Sequence, residues 1–313
     1  MSQDYPIEPN MFRPSAHPRS FKEHCARAAR AFNRARLHFG HGTDNAIDDS
    51  FQLALAALGW TQGKARRELD RPLTAAQSAI LTAAFQRRIR TRMPSAYLTG
   101  EAVFAGLRFH VDPRVLIPRS PMAELIEARF WPWLRRPPSR ILDLCAGSGC
   151  IGIACARVLP KARVDLIELD AGACAVCQRN LRRHRLAGRV RCIQSDLFKK
   201  AGTARYDLIV SNPPYVPESE WRRLPAEYRH EPRLALAAGR DGMDLVARIL
   251  AQAADHLAPE GVLICEVGGS VAQFEKRFPR FTAVWPEFER GGDGVFIISR
   301  EELIRWNKNA RVR

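Results

Sequence analysis

From residue 140 to residue 299, short apolar runs alternate with stretches of helical period. Residues 141–145, 164–169, 190–194, 207–210 and 262–267 read as strands, and 151–159, 171–184, 245–257 and 271–278 as the helices between them. Such alternation leaves few solutions other than a doubly wound, mostly parallel sheet with helices on both faces. Two closing strands, at 282–285 and 295–299, have no helix between them, so one is expected to run antiparallel.

Upstream the pattern changes. Residues 1–19 carry Pro6, Pro9, Pro14 and Pro18 without periodicity and are expected to form a flexible arm. Ser20-Phe21-Lys22-Glu23 is a capping box, after which Phe21, Cys25, Ala28, Phe32, Ala35 and Phe39 recur at helical spacing up to Gly40. Lys22, Arg27, Arg30, Arg34 and Arg36 mark the other face, read as solvated or, alternatively, as a dock for an acidic partner. A second helix is predicted over 45–58 with Ile47, Phe51, Leu55 and Leu58 inward. A third is predicted from Thr74 to the residue before Pro94, burying Ile80 or Leu81, Ala84, Phe85 and Ile89. Residues 20–93 thus read as a helical domain. Residues 94–138 read as a linker holding a β-hairpin around Gly106 and a helix over 122–133, and 139–313 as the α/β domain.

The net charge of +16 points to a polyanionic partner, or to a substrate that lives near one such as nucleic acid or ribosomal material. No apolar run approaches the ~20 residues of a membrane span. The eight cysteines are scattered, as expected of buried thiols in a reducing cytoplasm, and Cys174-x-x-Cys177 has no matching second pair, so no metal is expected.

Two stretches carry chemistry. The apolar run 206–210 is followed by Ser211-Asn212-Pro213-Pro214-Tyr215. Two consecutive prolines offer no N–H and end a strand ladder at once, while Asn212 is pushed to extended geometry by the proline after it. The Asn212 oxygen and the Pro213 carbonyl could accept both N–H groups of an –NH₂ on planar carbon, as in a glutamine side chain or adenine, with Tyr215 stacked on the flat group. The alternative is a strand-ending turn with a buried Asn and a packed Tyr. The second stretch, Asp143-Leu144-Cys145-Ala146-Gly147-Ser148-Gly149, bridges the first strand and first helix, where Gly147 and Gly149 let backbone approach a ligand. With Gly152 this spacing also fits a dinucleotide fingerprint. Against that stand three acids after three successive strands, Asp143, Glu168 and Asp196, with no arginine or lysine in the glycine turn. They suit a ligand with an ammonium, a ribose diol and an adenine amino group, which S-adenosylmethionine provides.

Together with Asn180, Asp196-Leu197-Phe198, Glu231-Pro232-Arg233, Glu266-Val267-Gly268 and Gly291-Gly292-Asp293-Gly294, these motifs resemble the class I S-adenosylmethionine methyltransferases that modify glutamine side-chain amides in proteins. The resemblance covers roughly 94–299 and implies a Rossmann-like class I methyltransferase sheet, with the N-terminal helices as a substrate-binding domain. Pro118-Arg119-Ser120-Pro121 resembles the branch acting on large-subunit ribosomal protein L-three, where the release-factor branch carries Pro-Arg-Pro-Glu-Thr. Glu168-Leu169-Asp170 departs from the family's Asp-Ile-Ser, leaving Asp170 as a competitor for the ribose role of Glu168. The resemblance implies catalytic roles for Asn212, Pro213 and Tyr215, and cofactor contacts from Asp143, Gly147, Gly149, Glu168, Asp196, Leu197 and Asn212. Phe104 from the hairpin, Arg119 from the helix entry and Pro214 are expected to line the substrate mouth. The expected partners are a ribosomal protein and, through the basic surface, ribosomal RNA or the assembling large subunit. The alternatives are glutamine methylation of release factors, methylation of the adenine amine in DNA or RNA, and a silent assembly factor on the same scaffold.

Overall fold

The computed structural model describes residue 12 and residues 18–311. The expected N-terminal arm therefore lies outside the described residues, apart from positions 12, 18 and 19. The chain divides into two compact units, one running to Ala102 and including Pro225–His230, the other built from Val103–Leu224 and the chain from Glu231 onward.

The first unit is helical: α1 Phe21–Arg34, α2 Ala46–Leu58, α3 Gln62–Glu68, α4 Ala75–Thr91 and α5 Ser95–Thr99. Local chemistry fixes the helix starts. The capping box at Ser20 forms, Asn45 accepts from the amides of Ile47 and Asp48, and Thr74 with Gln77 closes a second box. Phe21, Phe32, Leu53, Leu81 and Phe85 make the core. Ile47, expected inward, is 68% exposed, because α2 buries the stripe Ala46, Asp49, Ser50, Leu53 and Ala54. Of the pair at 80 and 81, Leu81 is the buried one. The stripe turns on an ion pair: Arg88 Nε lies 3.0 Å from Asp49 Oδ2, both side chains almost wholly buried. The short α3 buries only Ala65, so it carries no periodic apolar signal in the sequence.

At the start of the second unit β1 (Glu101–Phe104), whose first two residues count with the first unit, and β2 (Leu107–His110) form the expected hairpin, with Ala105 and Gly106 both at positive φ as a primed turn requires. Then follow α6 Met122–Glu127, β3 Arg140–Leu144, α7 Cys150–Val158, β4 Arg163–Glu168, α8 Ala171–Arg183, β5 Val190–Gln194, β6 Tyr206–Ser211 and α9 Glu218–Trp221. The chain closes with α10 Asp244–His256, β7 Leu257–Glu266, α11 Val271–Arg277, β8 Val295–Ser299 and α12 Arg300–Arg311. The six-stranded sheet has the order β5-β4-β3-β6-β7-β8, parallel except for β8, which runs antiparallel to β7 as expected. Side chains alternate between two cores: Ile141 of β3 packs with Ile153 and Leu166, Leu142 and Leu144 with Val246 and Ile249 on the other face.

Two expected elements are shorter than the sequence suggests. The helix over 122–133 stops at Glu127, since Arg129 and Phe130 take positive φ and Pro132 cannot continue it. The strand over 282–285 reduces to one bridge, Val284 with Ile297, because Pro286 removes the next donor. The sequence reading had no counterpart for α3 or for the C-terminal α12.

Candidate active site

Strand order reverses between β3 and β6, with β4 and β5 on one side and β7 on the other. In an open parallel sheet the ligand crevice forms outside the carboxyl ends of strands at such a point. The register sets Asp143 beside Val210 and Leu144 beside Ser211, so the glycine turn and Asn212 emerge next to one another. A cavity of about 500 Å³ opens there, its wall including Gly147, Glu168, Asp170, Asp196, Leu197, Arg119, Asn212 and Pro214.

The glycine turn is shaped from behind. Asp143 is not on the cavity wall. Its carboxylate points into the start of α7, where Oδ2 accepts from the Gly152 amide at 2.8 Å, and burial pushes its pKa up to about 8. Asp143 thus holds the turn through Oδ2, while its Oδ1 is buried without a hydrogen-bond partner. Gly149 is also behind the wall; a Cβ there would lie 2.8 Å from Cys177 Sγ, and its φ is +80°. Gly147 faces open space at φ +52°, and its amide donates to Glu168 Oε2 at 2.8 Å. The other oxygen of Glu168 accepts from the Asp170 amide at 2.9 Å. Asp170 itself caps α8 through the Ala173 amide. Of the two competing acids, Glu168 is therefore the one gripped by the glycine turn and Asp170 the one committed to a helix end.

Asp196 lies on the wall, paired with Arg248 at 2.7 Å and Lys199 at 2.9 Å, contacts that lower its pKa, Lys199 first. Leu197 follows at φ +45°, buried but on the wall. Asn212 and Pro214 line the cavity, whereas Pro213 is buried and neither it nor Tyr215 belongs to the wall. Tyr215 is braced instead. Its hydroxyl donates to Glu266 Oε1 at 3.2 Å, its carbonyl accepts from Ser270 Oγ at 3.0 Å, and a Cβ at Gly268 would lie 2.7 Å from its ring. Phe104, expected at the mouth, is 5% exposed and packs in the core with Phe109 and Met122, because its β1 position points inward.

The family model of the Methyltransferase small domain matches residues 130–224, and that of the PrmC N-terminal domain residues 30–100. Over 280 residues the chain is 48% identical to the ribosomal protein uL3 glutamine methyltransferase of Xanthomonas campestris pv. campestris, covering 87% of this chain and 89% of that protein. Over 278 residues it is 43% identical to the protein of the same name from Bordetella pertussis, covering 88% and 93%. The chain belongs to the uL3 glutamine methyltransferase family. A solved methyltransferase from Pyrococcus furiosus aligns with 62% of this chain and 89% of its own at a TM-score of 0.46 and 20% identity.

The sheet is accordingly a Rossmann-like class I methyltransferase sheet, and S-adenosylmethionine is the group to be fitted. The wall suits it. Each cation on the wall is already met by a carboxylate: Arg114 by Asp112, Arg119 by Glu231 and Arg248 by Asp196. A pyrophosphate would find no uncommitted guanidinium among these three, while a cationic ligand meets acceptors. Glu168, pinned by two backbone donors, keeps lone pairs for a diol, and Ile151, Leu169, Leu197 and Leu245 give apolar contact for a flat base.

Three residues that sequence reasoning gave no role hold this family's motif loops. Glu231 accepts from both terminal nitrogens of Arg119, at 2.7 and 2.6 Å, and from the Ile117 amide at 3.0 Å. Glu266 takes the Ser120 hydroxyl at 2.5 Å as well as that of Tyr215, and burial lifts its pKa to about 7. The two middle residues of Pro118-Arg119-Ser120-Pro121 thus each grip a buried acid. Asn180, fully buried, donates to the carbonyls of Ser148 and His110 and accepts from the His110 amide, tying the glycine turn to β2. Glu266 ends a strand as Glu168 does, a signal present in the sequence; Glu231 and Asn180 offered none beyond the family resemblance.

Proposed function

We propose that this chain transfers the methyl group of S-adenosylmethionine to the side-chain amide nitrogen of a glutamine in ribosomal protein uL3. The observation that carries the reading is the 43–48% identity to uL3 glutamine methyltransferases over almost the full length of both chains. The cavity in which Asn212, Pro214 and Glu168 meet supports it. When bound, S-adenosylmethionine supplies a methyl group on a positively charged sulfur. Glu168 would hold the ribose hydroxyls, Asp196 the adenine amine, and Leu197 the base.

An amide nitrogen is a poor nucleophile because its lone pair is delocalised into the carbonyl. The chain must therefore position and polarise more than abstract a proton. The Asn212 oxygen and the Pro213 carbonyl are assigned the two amide N–H groups, which aims the lone pair at the methyl and stabilises the positive charge growing on nitrogen. Tyr215 is assigned to pack on the amide plane. Its anchoring by Glu266 and Ser270 supports this, because a rigid loop loses little freedom on binding. The helical unit is assigned to substrate binding, and the basic surface to ribosomal RNA beside uL3 in the cytoplasm. Among the described residues no helix is long and apolar enough to cross a membrane.

The test is transfer of labelled methyl from S-adenosylmethionine to purified uL3, a release factor, and adenine-containing DNA and RNA, side by side. Label confined to a glutamine of uL3 is the expected result. Label on the release factor keeps the chemistry and removes the substrate; label on nucleic acid removes the substrate class.

A further inference from the structure

The mechanism uses the carboxyl ends of the strands and leaves the other ends idle. Yet two basic runs free of acids collect there. Between Ala171 and Ser195 the chain carries six arginines and no Asp or Glu; between Cys145 and Val164 it carries Arg157, Lys161 and Arg163, again with no acid. The fold gathers the two runs. Helices α7 and α8 return antiparallel to the strands they follow, so their C-termini and the turns beyond lie at the amino edge of β3, β4 and β5. Arg140 and Arg163 stand opposite each other at the first residues of β3 and β4, and Arg191 sits at the start of β5. At ~4.8 Å between neighbouring strands, three arginine-bearing strand starts fall within about 10 Å.

Side-chain contacts join the turns. Arg189 donates to the carbonyls of Leu159 at 3.4 Å and Ala162 at 3.1 Å, and also to that of Ala156. Compensation is sparse. Asp165 lies 2.5 Å from Arg191 and 3.9 Å from Arg140, one carboxylate between two guanidiniums. Arg157, Lys161, Arg163, Arg182 and Arg185 are exposed and pair with no carboxylate among the described residues. A solvated charge run would ordinarily be relieved by interspersed acids; like charges crowded without them repel, and a polyanion relieves that repulsion. No exposed large apolar side chain belongs to residues 156–163 or 182–191, so this edge offers nothing to insert into lipid.

We propose that the amino edge of β3, β4 and β5 is a docking surface for the phosphate backbone of ribosomal RNA, at the opposite end of the strands from the methyl-transfer cavity. The choice of RNA among polyanions rests on the uL3 reading, since a ribosomal protein is met beside ribosomal RNA. A strand of six residues separates edge from cavity by about 20 Å. Docking would thus hold the enzyme on the assembling particle with the cavity left clear.

The experiment titrates purified large-subunit ribosomal RNA with the full chain, with an Arg157→Glu/Arg163→Glu/Arg182→Glu variant, and with an Arg30→Glu/Arg34→Glu/Arg36→Glu variant, the α1 variant, that changes net charge equally on the last turns of α1 and the residue just past its cap. Affinity is read from 50 to 300 mM salt, beside binding to phosphatidylserine vesicles and methyl transfer to isolated uL3. Each lost phosphate contact removes about 0.7–0.9 from the slope of log affinity on log salt. The edge variant is expected to lose about two to three in slope and roughly a hundredfold in affinity at 0.1 M salt. The α1 variant should lose far less, and the edge variant should methylate isolated uL3 at the parent rate. A neutral Arg157→Gln/Arg163→Gln/Arg182→Gln variant, gentler on the fold, should show an intermediate loss. Equal losses for edge and α1 variants overturn the proposal, as does an unchanged slope. So does loss of vesicle binding with RNA binding intact. If the parent protein fails to methylate uL3 while the RNA titrations behave as expected, the function reading falls and the docking surface stands.

Discussion

Replacing Glu266 by Gln should leave the fold intact and abolish one component of its pH dependence. Glu266 is 4% exposed at the end of β7, with the Ser120 and Tyr215 hydroxyls as its partners. Burial lifts its carboxyl from 4.5 to about 7, an effect that the two hydroxyls and Arg119 only partly reverse. Between those values the native protein holds a proton that the unfolded chain has released. Stability therefore falls as pH rises from 4.5 to 7, by about 1.4 kcal/mol per unit, and the total contribution of this group is about 3 kcal/mol, fully present only at the acid end. Gln keeps the shape and does not titrate. The assay is urea unfolding of both proteins at half-unit steps from pH 4.5 to 8, taking the difference in unfolding free energy at each step. That difference should shift against the parent by about 3 kcal/mol from pH 4.5 to 7 and then level off. A difference that stays flat across the whole range would refute the reasoning, because it would mean that Glu266 ionises in the native state as it does in the unfolded chain.

Further outcomes follow from the same contacts. Asn212→Ala should reduce turnover by about a hundredfold or more, as loss of one preorganised polar group does, with little change in melting temperature; steady-state methyl transfer to uL3 checks it. Glu168→Ala should raise the dissociation constant for S-adenosylmethionine at least tenfold, read by calorimetry, since it removes both the diol acceptor and the brace on the Gly147 amide. Asp49→Ala should destabilise the helical unit by about 3–5 kcal/mol by stranding the buried Arg88 charge, and Asp49→Ala/Arg88→Met should recover much of that loss in denaturant titrations.

Periodicity and backbone chemistry were readable in the sequence, and contacts across long separations were not. The strand–helix alternation and the capping box at Ser20 depend on neighbours within a few residues, the antiparallel closing strand on the lack of a helix before it, and all appear in the structure. Where a proline or a positive φ intervened, at Pro132 and Pro286, apolar composition overstated the element. The strand-end rule brought Glu168, Asp196, Asn212 and Pro214 to one cavity. It could not tell that Asp143 turns away from the wall, since both orientations satisfy the same sequence. Phe104 was misjudged for a similar reason: in a short hairpin strand, alternation does not say which face meets the core. Glu231 was unreadable as an anchor because its partner Arg119 is 112 residues away.

The chain's return path has a practical consequence. Residues 225–230 belong with the helical unit although they are inserted within the sequence of the other. Glu227 of that insert is fully buried, accepts from Arg92 Nη1 at 2.8 Å and from the His38 amide at 3.0 Å, and is followed by Tyr228, whose ring lies 4.4 Å from that of His41. No single cut therefore separates the two units into complete pieces. A fragment ending near Ala102 would lack the carboxylate that Arg92 and His38 share, and grafting the helices onto another methyltransferase would require transplanting six residues from deep within the catalytic half. The helical unit of this protein cannot be exchanged as a detachable N-terminal cassette; the two halves have to be inherited together.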